Sequence, residues 1–330
     1  MKFNSKNLLV TGGSGFIGSN FIHYLFNKYD KIKIFNLDSL TYAGDINNTK
    51  TFKDNSRYSF IKGDICDKNL VDHILNVNKI DGIINFAAET HVDNSITNPD
   101  VFVKTNINGV FNLLNCSYNY WMHAPFKVKK EFELARFHQI STDEVYGSIE
   151  IGSFSEESNY APNSPYSSSK ASADMLVRGF NKTYGLNSTI SICSNNYGPN
   201  QNVEKFIPKI INCLINNELI PVYGDGCNVR DWIYVEDHCS AIDIVFNKSR
   251  SGCLYNIGAE NELTNLELID IIYSIIKKDT IVKKRVNFIK DRPGHDRRYS
   301  LNIDKIRKDF NWNLNSNFND NLSNYIKNLI

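Results

Sequence analysis

A short apolar run, Leu8-Leu9-Val10, ends in Thr11-Gly12-Gly13-Ser14-Gly15-Phe16-Ile17-Gly18 and passes straight into a helical pattern. Nothing else in the chain limits its fold so strongly. A strand that turns through spaced glycines into a helix predicts the opening unit of a parallel α/β sheet, and the G-x-G-x-x-G spacing has a specific use in that context. Glycines let the backbone turn sharply and approach a pyrophosphate, whose charge meets the free N–H groups and positive end of the helix. Gly12, Gly15 and Gly18 are therefore candidate dinucleotide contacts. Taken alone, such a turn could also serve packing only.

Runs at 7–11, 32–37, 59–62, 82–86, 136–141 and 189–193 read as strands alternating with helical patterns. Leu8-Leu9-Val10 and Ile83-Ile84 are apolar without alternation, as strands covered on both faces should be. The expected fold class is α/β: a Rossmann-type doubly wound parallel sheet with a smaller mixed α/β C-terminal substrate domain. After about Asn195 the rhythm changes, with turn-rich stretches at 197–200 and 224–226 and a helical pattern at 265–277. The charged stretch 127–133 reads as a solvated surface loop.

A chain of 330 residues, 42% hydrophobic, can fill both cores. Its formal charge of +1, spread over near-equal acids and bases, offers no overall field for nucleic acid or a membrane surface, so neither is an expected partner. An anionic ligand must be gripped locally. The first ten residues lack an apolar h-region and no run approaches the ~18 apolar residues of a spanning helix, which predicts a cytoplasmic protein. Seven scattered cysteines without a C-x-x-C argue against a disulfide framework and a zinc site; no metal is expected.

The second strand leads to Asp38, where an acidic side chain can accept hydrogen bonds from adenosine ribose hydroxyls. That carboxylate favours NAD, since it would repel a 2′-phosphate. Asp64 and Ile65, at the end of the third strand, are placed to meet the adenine, although Asp64 could equally cap a helix. Tyr166-Ser167-Ser168-Ser169-Lys170 opens a helical pattern that sets tyrosine and lysine on one face. A neighbouring ammonium and an oxidised nicotinamide would both favour the phenolate, making Tyr166 a usable base. The strand ending at Ser141 runs into Thr142-Asp143-Glu144, at the position where open sheets hold their ligands. Adjacent acids in different environments can hold different protonation states, one giving and one taking a proton.

Together these residues are similar to those of the extended short-chain dehydrogenases of the NAD-dependent epimerase/dehydratase family, and within them to the dTDP-glucose 4,6-dehydratases. The resemblance spans nearly the whole chain in TGGSGFIGSN, LDSLTYAG, GDICD, FAAETHVDNSI, ISTDEVYG, SPYSSSKASAD, CSNNYGPN, VYGDGCNVRDWIYVEDH and DRPGHDRRY. The first and sixth mark the superfamily, whereas the TDE triplet, LTYAG and RPGHDRRY are more specific. The resemblance implies that residues 1–194, with a returning segment about 229–258, form the NAD-binding domain. Residues 195–228 and 259–330 would form the nucleotide-sugar domain.

It further implies that dTDP-glucose is oxidised at C4 by tightly retained NAD, loses water across C5 and C6, and is reduced at C6. Tyr166, with Thr142, would serve the 4-hydroxyl, Glu144 would take the C5 proton and Asp143 would protonate the leaving hydroxyl. Phe16, Ile17, Asp38, Ser39, Leu40, Thr41, Ala87, Ala88, Thr90, Thr105, Tyr166 and Asn196 would face the cofactor, with Lys170 at the nicotinamide ribose. Thr90, Thr142, Asn195, Glu204, Lys205, Pro221, Tyr223, Arg230, Asn265, Asp291, Arg292 and His295 would face the sugar nucleotide. Arg230 and Arg292 suit it, because a diphosphate offers oxygens for forked, charge-assisted hydrogen bonds.

Two departures touch the nucleotide side: Asn202-Val203-Glu204-Lys205-Phe206-Ile207-Pro208 stands for the family's FPEKLIP, and Asn94 stands where bacterial members carry arginine. UDP-glucose therefore stays open as the substrate. A nucleotide-sugar 4-epimerase and a non-catalytic dinucleotide sensor are the other readings, and the Asp143-Glu144 pair speaks against both. Helical patterns at 101–121 and 166–184 would form a homodimer contact, as in the family.

Overall fold

A seven-stranded parallel sheet organises the protein, a computed structural model that describes residues 4–277, 285–315 and 317–330. Across the sheet the strands run Leu254–Ile257, Ser188–Cys193, Arg136–Thr142, Gly82–Asn85, Asn7–Thr11, Lys33–Asp38 and Tyr58–Lys62. Chain order reverses between Asn7–Thr11 and Gly82–Asn85, the switch point at which such sheets leave a crevice beyond their carboxyl ends. The six expected strands are present, each end within a residue of expectation. Leu254-Tyr255-Asn256-Ile257, the added edge strand, is too short and irregular to stand out in the sequence.

The doubly wound arrangement follows from the apolar runs. Leu8 and Val10 join Phe21, Leu25, Ile84, Val235 and Ile242 in one layer, whereas Leu9 and Ile83 join Val71, Leu113, Phe137 and Val177 in the other. Each fully buried aliphatic side chain contributes roughly 1.5–3 kcal/mol, so the sheet holds the strand ends firmly. A buried polar ladder crosses it just below the crevice. The Thr11 hydroxyl donates to Asn85 Oδ1, Asn85 Nδ2 donates to Gln139 Oε1 at 2.8 Å, and Gln139 Nε2 donates to the Ile140 carbonyl at 3.2 Å. A register slip would leave these groups unpaired in an apolar layer, so the ladder also specifies the register.

Two helices matter for the site. Pro165–Tyr184 begins with a reciprocal Ser164/Ser167 capping box and Pro165, and stops at Gly185 in the left-handed region (φ 73). The helical pattern expected over 101–121 is not uniform: a wide π-type turn, Val103–Gly109, separates Asp100–Phe102 from Val110–Trp121. Asn106 explains it. Its side chain exchanges hydrogen bonds with the Glu89 backbone at 2.9 and 3.0 Å and donates to Ser169 Oγ at 2.8 Å, tying the turn to the crevice and to the neighbouring helix. The stretch expected as a solvated loop instead pairs Lys127–Val128 with Met122–Ala124 and buries Phe132.

A second core gathers Ile207, Ile211, Leu214, Trp232, Leu268, Ile272, Leu322 and Ile326. Around it lie helix Phe206–Ile215, the parallel pair Ile220–Tyr223 and Val286–Ile289, and strand Val229–Tyr234 between Asn195–Tyr197 and Glu262–Thr264. From Val229–Tyr234 the chain returns as helix Val235–Lys248, which packs on helix Phe16–Lys28, and then as the edge strand of the large sheet. Among the described residues no helix is long and apolar enough to cross a membrane, and no group of three or more His, Cys, Asp or Glu could hold a metal ion. All seven cysteines are free.

Candidate active site

A cavity of about 400 Å³ lies at the switch point. The three motif glycines shape one end of it for different reasons. Gly12 has φ +68 and a Cβ there would meet the Ala87 nitrogen at 2.6 Å; at Gly18 it would collide with the Gly12 carbonyl. Gly15 lines the cavity, with only the carbonyl oxygens of Gly12 and Ala43 near a would-be Cβ, at 3.3 and 3.9 Å. A side chain there would fill the cradle itself. Helix Phe16–Lys28 starts without a side-chain cap or an acid in its first turn, and Phe16, Ile17 and Gly18 line the cavity. This end fits a dinucleotide pyrophosphate.

Asp38 lies behind the glycine turn. It accepts from the N–H groups of Ser14 (2.9 Å) and Leu40 (2.8 Å), and burial raises its carboxyl against those two bonds. Its remaining lone pairs can take ribose hydroxyls. Ser39, Thr41, Asp64, Ile65, Ala87, Ala88, Thr90, Thr105 and Asn196 all line the cavity. Leu40 does not: it turns with φ 53 and is tied through its N–H to Asp38. Asp64 is not a helix cap either, since Asp67 caps Lys68–Val77.

At the opposite wall Thr142, Asp143, Glu144, Tyr166 and Lys170 come together. Thr142 ends strand Arg136–Thr142 and caps the short turn Asp143–Tyr146 that carries the acids. Asp143 is 2% exposed; burial, then the charge of Glu144, pushes its carboxyl well above the usual range. Burial also raises Glu144, but the cations Arg292, Arg230 and Lys205 oppose the rise. The surroundings thus favour the neutral form more strongly at Asp143 than at Glu144, where three cations oppose burial. Burial, then Glu144, pushes the Tyr166 phenol well up, although the Thr142 hydroxyl pulls the other way. The Lys170 ammonium donates to the Ile140 carbonyl at 2.7 Å, and burial lowers its own pKa. Proximity of a lysine does not by itself offset burial of a phenol.

Asn195 and Lys205 join Thr90 and Thr142 on the cavity wall. The other expected substrate residues stand outside that lining. Tyr223 and Arg292 meet on Asp93, the tyrosine hydroxyl donating at 2.9 Å and the guanidinium at 3.3 Å. His295 pairs with Asp291 at 2.6 Å, and Glu204 faces His91 at 3.7 Å. Arg230 stacks over Tyr299 and donates to the carbonyls of Val229 and Asp296, so part of its fork is spent on backbone. Pro221 lies in strand Ile220–Tyr223, and Asn265 begins the helix Asn265–Lys277. Asp143 Oδ2, Asn195 Oδ1, Glu204 Oε1 and Arg292 Nε are buried without a hydrogen-bond partner, a costly arrangement that a polar ligand relieves.

Several site residues escape sequence reasoning. Cys193, Ser194, Gln201 and Asn202 also line the cavity, Asn106 holds the lining residue Glu89, and Asp93 gathers Tyr223 and Arg292 outside the lining. The Tyr197-Gly198-Pro199-Asn200 turn is the available signal for the first group: it brings Asn202 to the Tyr42 carbonyl and Pro199 to Asn20. Asn106 carries none, because its partners are distant in sequence, and Asp93 stands within FAAETHVDNSI without any sign there of its partners Tyr223 and Arg292.

The GDP-mannose 4,6 dehydratase family model matches residues 9–325. The chain is 43% identical over 319 residues to a dTDP-glucose 4,6-dehydratase of Escherichia coli, covering 92% of this chain and 87% of that one. Its structure is similar to that of DesIV, a dTDP-glucose 4,6-dehydratase from Streptomyces venezuelae with NAD and TYD bound, with TM-score 0.90 and 40% identity over 97% of this chain and 96% of that one. A UDP-glucose 4-epimerase from Thermotoga maritima shares the fold at TM-score 0.85, with 26% identity over 98% of both chains.

Proposed function

The chain belongs to the GDP-mannose 4,6-dehydratase family, and from that premise we propose that it is an NAD-dependent hydro-lyase converting dTDP-glucose to dTDP-4-dehydro-6-deoxyglucose and water. The observation that carries this reading is the Asp143-Glu144 pair, two adjacent acids with unlike surroundings on the wall that also presents Tyr166. An epimerase, which returns hydride to C4, has no use for such a pair.

Bound NAD supplies a hydride acceptor that is restored within the same cycle. Gly12, Gly15 and Gly18 cradle its pyrophosphate, Asp38 takes the adenosine ribose, and Asp64 and Ile65 border the adenine. Tyr166 accepts the proton of the sugar 4-hydroxyl while Thr142 hydrogen-bonds the same oxygen. Ionising so deeply buried a phenol needs positive charge nearby, which Lys170 and the oxidised cofactor provide together. With a ketone at C4, the C5 proton becomes acidic and Glu144 removes it. Asp143, held neutral, gives its proton to the departing 6-hydroxyl. Arg230, Arg292 and Lys205 face the diphosphate side, and Asn195, Glu204, Pro221, Tyr223, Asn265, Asp291 and His295 line the approach of the nucleotide.

A homodimer is the assembly that fits the exposed Val101, Val103, Phe111 and Met175 on the helices expected to pair. Light scattering on the eluting protein should then give twice the 37.7 kDa chain mass. We assign the enzyme to the cytoplasm, its sugar nucleotides being soluble metabolites.

Incubated with dTDP-glucose and no added reductant, the purified protein should yield a 4-keto product lighter by one water, read by mass spectrometry. A product of unchanged mass with an inverted C4 would replace this reading with epimerisation. Running UDP-glucose in parallel tests the base, and faster turnover of it would shift the substrate assignment.

A further inference from the structure

One buried carboxyl beside the reacting groups has no part in those steps. Asp174 follows Tyr166 and Lys170 at four-residue intervals on the helix Pro165–Tyr184, so all three share a face. It is fully buried. Its Oδ2 accepts from the hydroxyls of Ser141 and, at 3.2 Å, Tyr160, while Oδ1 has no hydrogen-bond partner. Ser141 lies between Ile140, whose carbonyl receives the Lys170 ammonium, and Thr142, from which the reacting acids follow. The carboxyl therefore grips the same strand end to which the lysine is tied.

The ionisable groups around this pair single Asp174 out. Lys170 is faced by Asp174 from its own helix and by Cys193 from strand Ser188–Cys193, with Asp143 and Tyr166 both facing Cys193. Tyr160 and Tyr146 face Asp174. Burial pushes the Cys193 thiol up to about 12 and raises the phenols of Tyr166, Tyr160 and Tyr146, so these four are neutral near pH 7, and it pushes the Asp143 carboxyl well above its usual range. Asp174 is raised by burial only to about 6, with Lys170 foremost among the groups opposing the rise. Asp174 is the foremost charge favouring the Lys170 ammonium, ahead of Cys193, and a buried ammonium stripped of its counter-charge tends to lose its proton.

We propose that Asp174 is a positioning residue for hydride transfer: its carboxylate is the buried counter-charge that keeps Lys170 an ammonium beside Tyr166, and it anchors Ser141 at the strand end bearing Thr142, Asp143 and Glu144. This rests on the reading of Tyr166 as the base that opens the reaction.

The test is single-turnover formation of NADH on mixing dTDP-glucose with NAD-loaded protein, from about pH 6 to about pH 10, for wild type, Asp174→Asn and Ser141→Ala. Circular dichroism and bound NAD serve as checks on folding. Removing the charge makes Lys170 easier to deprotonate, so the alkaline limb of Asp174→Asn should move down by about one pH unit. Ser141→Ala, which keeps the charge, should react more slowly but with its limb unmoved. If wild type forms no NADH at any pH, the dehydratase reading itself fails. If wild type does so while a folded Asp174→Asn keeps the wild-type limb, only the role of Asp174 is overturned. Asp174→Ser replaces the asparagine variant if that does not fold; failure of both to fold makes the carboxyl purely structural and also overturns the proposal.

Discussion

At the cofactor end of the cavity the walls are mostly backbone: three glycines, an uncapped helix start, and Asp38 already locked by two N–H groups. Outside the lining, on the expected substrate side, charged side chains lean on one another, Asp93 with Arg292 and Tyr223, Asp291 with His295, Glu204 with His91. A backbone cradle needs no rearrangement to receive its ligand. Paired side chains must exchange partners as a diphosphate arrives, which suits a molecule that enters and leaves every cycle. The contrast suits the proposed cycle, in which NAD stays bound while the sugar nucleotide enters and leaves.

The largest effect expected from breaking this arrangement lies between the two ends. Glu144→Gln should slow dehydration by about 10²–10⁴-fold while leaving the first hydride transfer intact, so that nicotinamide absorbance rises and persists after substrate is added. Normal turnover would remove Glu144 from its role. Next comes the cradle: Gly12→Ala forces a side chain into the left-handed region against the Ala87 backbone at 2.6 Å. The strain, about 1–3 kcal/mol, should leave protein that purifies with little NAD, read from its ultraviolet spectrum; undiminished cofactor would contradict the backbone account.

A smaller change should follow at the substrate end. Asp93→Asn frees Arg292 and Tyr223 from their shared acceptor, and KM for dTDP-glucose should rise by about fivefold, on the order of 1 kcal/mol, with bound NAD unchanged. A fall in cofactor content instead would mean that the two ends are not independently built. The smallest effect belongs to Asp225, paired with Arg297 at 2.7 Å on the surface. The hydrogen bond from Arg297 holds its carboxyl down at about 2, so the pair's modest stabilisation is present above the ordinary carboxylate pKa and is lost as pH falls toward about 2. Asp225→Asn should therefore shift the melting temperature slightly at neutral pH and not at all near pH 2.

The same contrast governs what the sequence reveals. The glycine turn, Tyr166 with Lys170, and Thr142-Asp143-Glu144 are legible because each constellation is contiguous and its spacing is itself the geometry. The pairing of Asp93 with Arg292 is not, although both residues stand in quoted motifs, since nothing local announces so distant a partner, and the edge strand at 254–257 is too short to display a period. Asn106 hides for a similar reason: its wide helical turn is a consequence of bonds to Glu89 and Ser169. The extent to which burial raises the Tyr166 phenol is also hidden from the sequence, because burial belongs to the fold.

The central claim is that hydride leaves C4 and returns to C6 of one sugar while Asp143 and Glu144 eliminate water between those steps. The direct measurement is turnover of a mixture of dTDP-glucose deuterated at C4 and unlabelled substrate, with the product examined by NMR and mass spectrometry. The account predicts deuterium at C6 of the molecules that began with it at C4, and none in their neighbours. Deuterium still at C4, or scrambled between molecules, would contradict it.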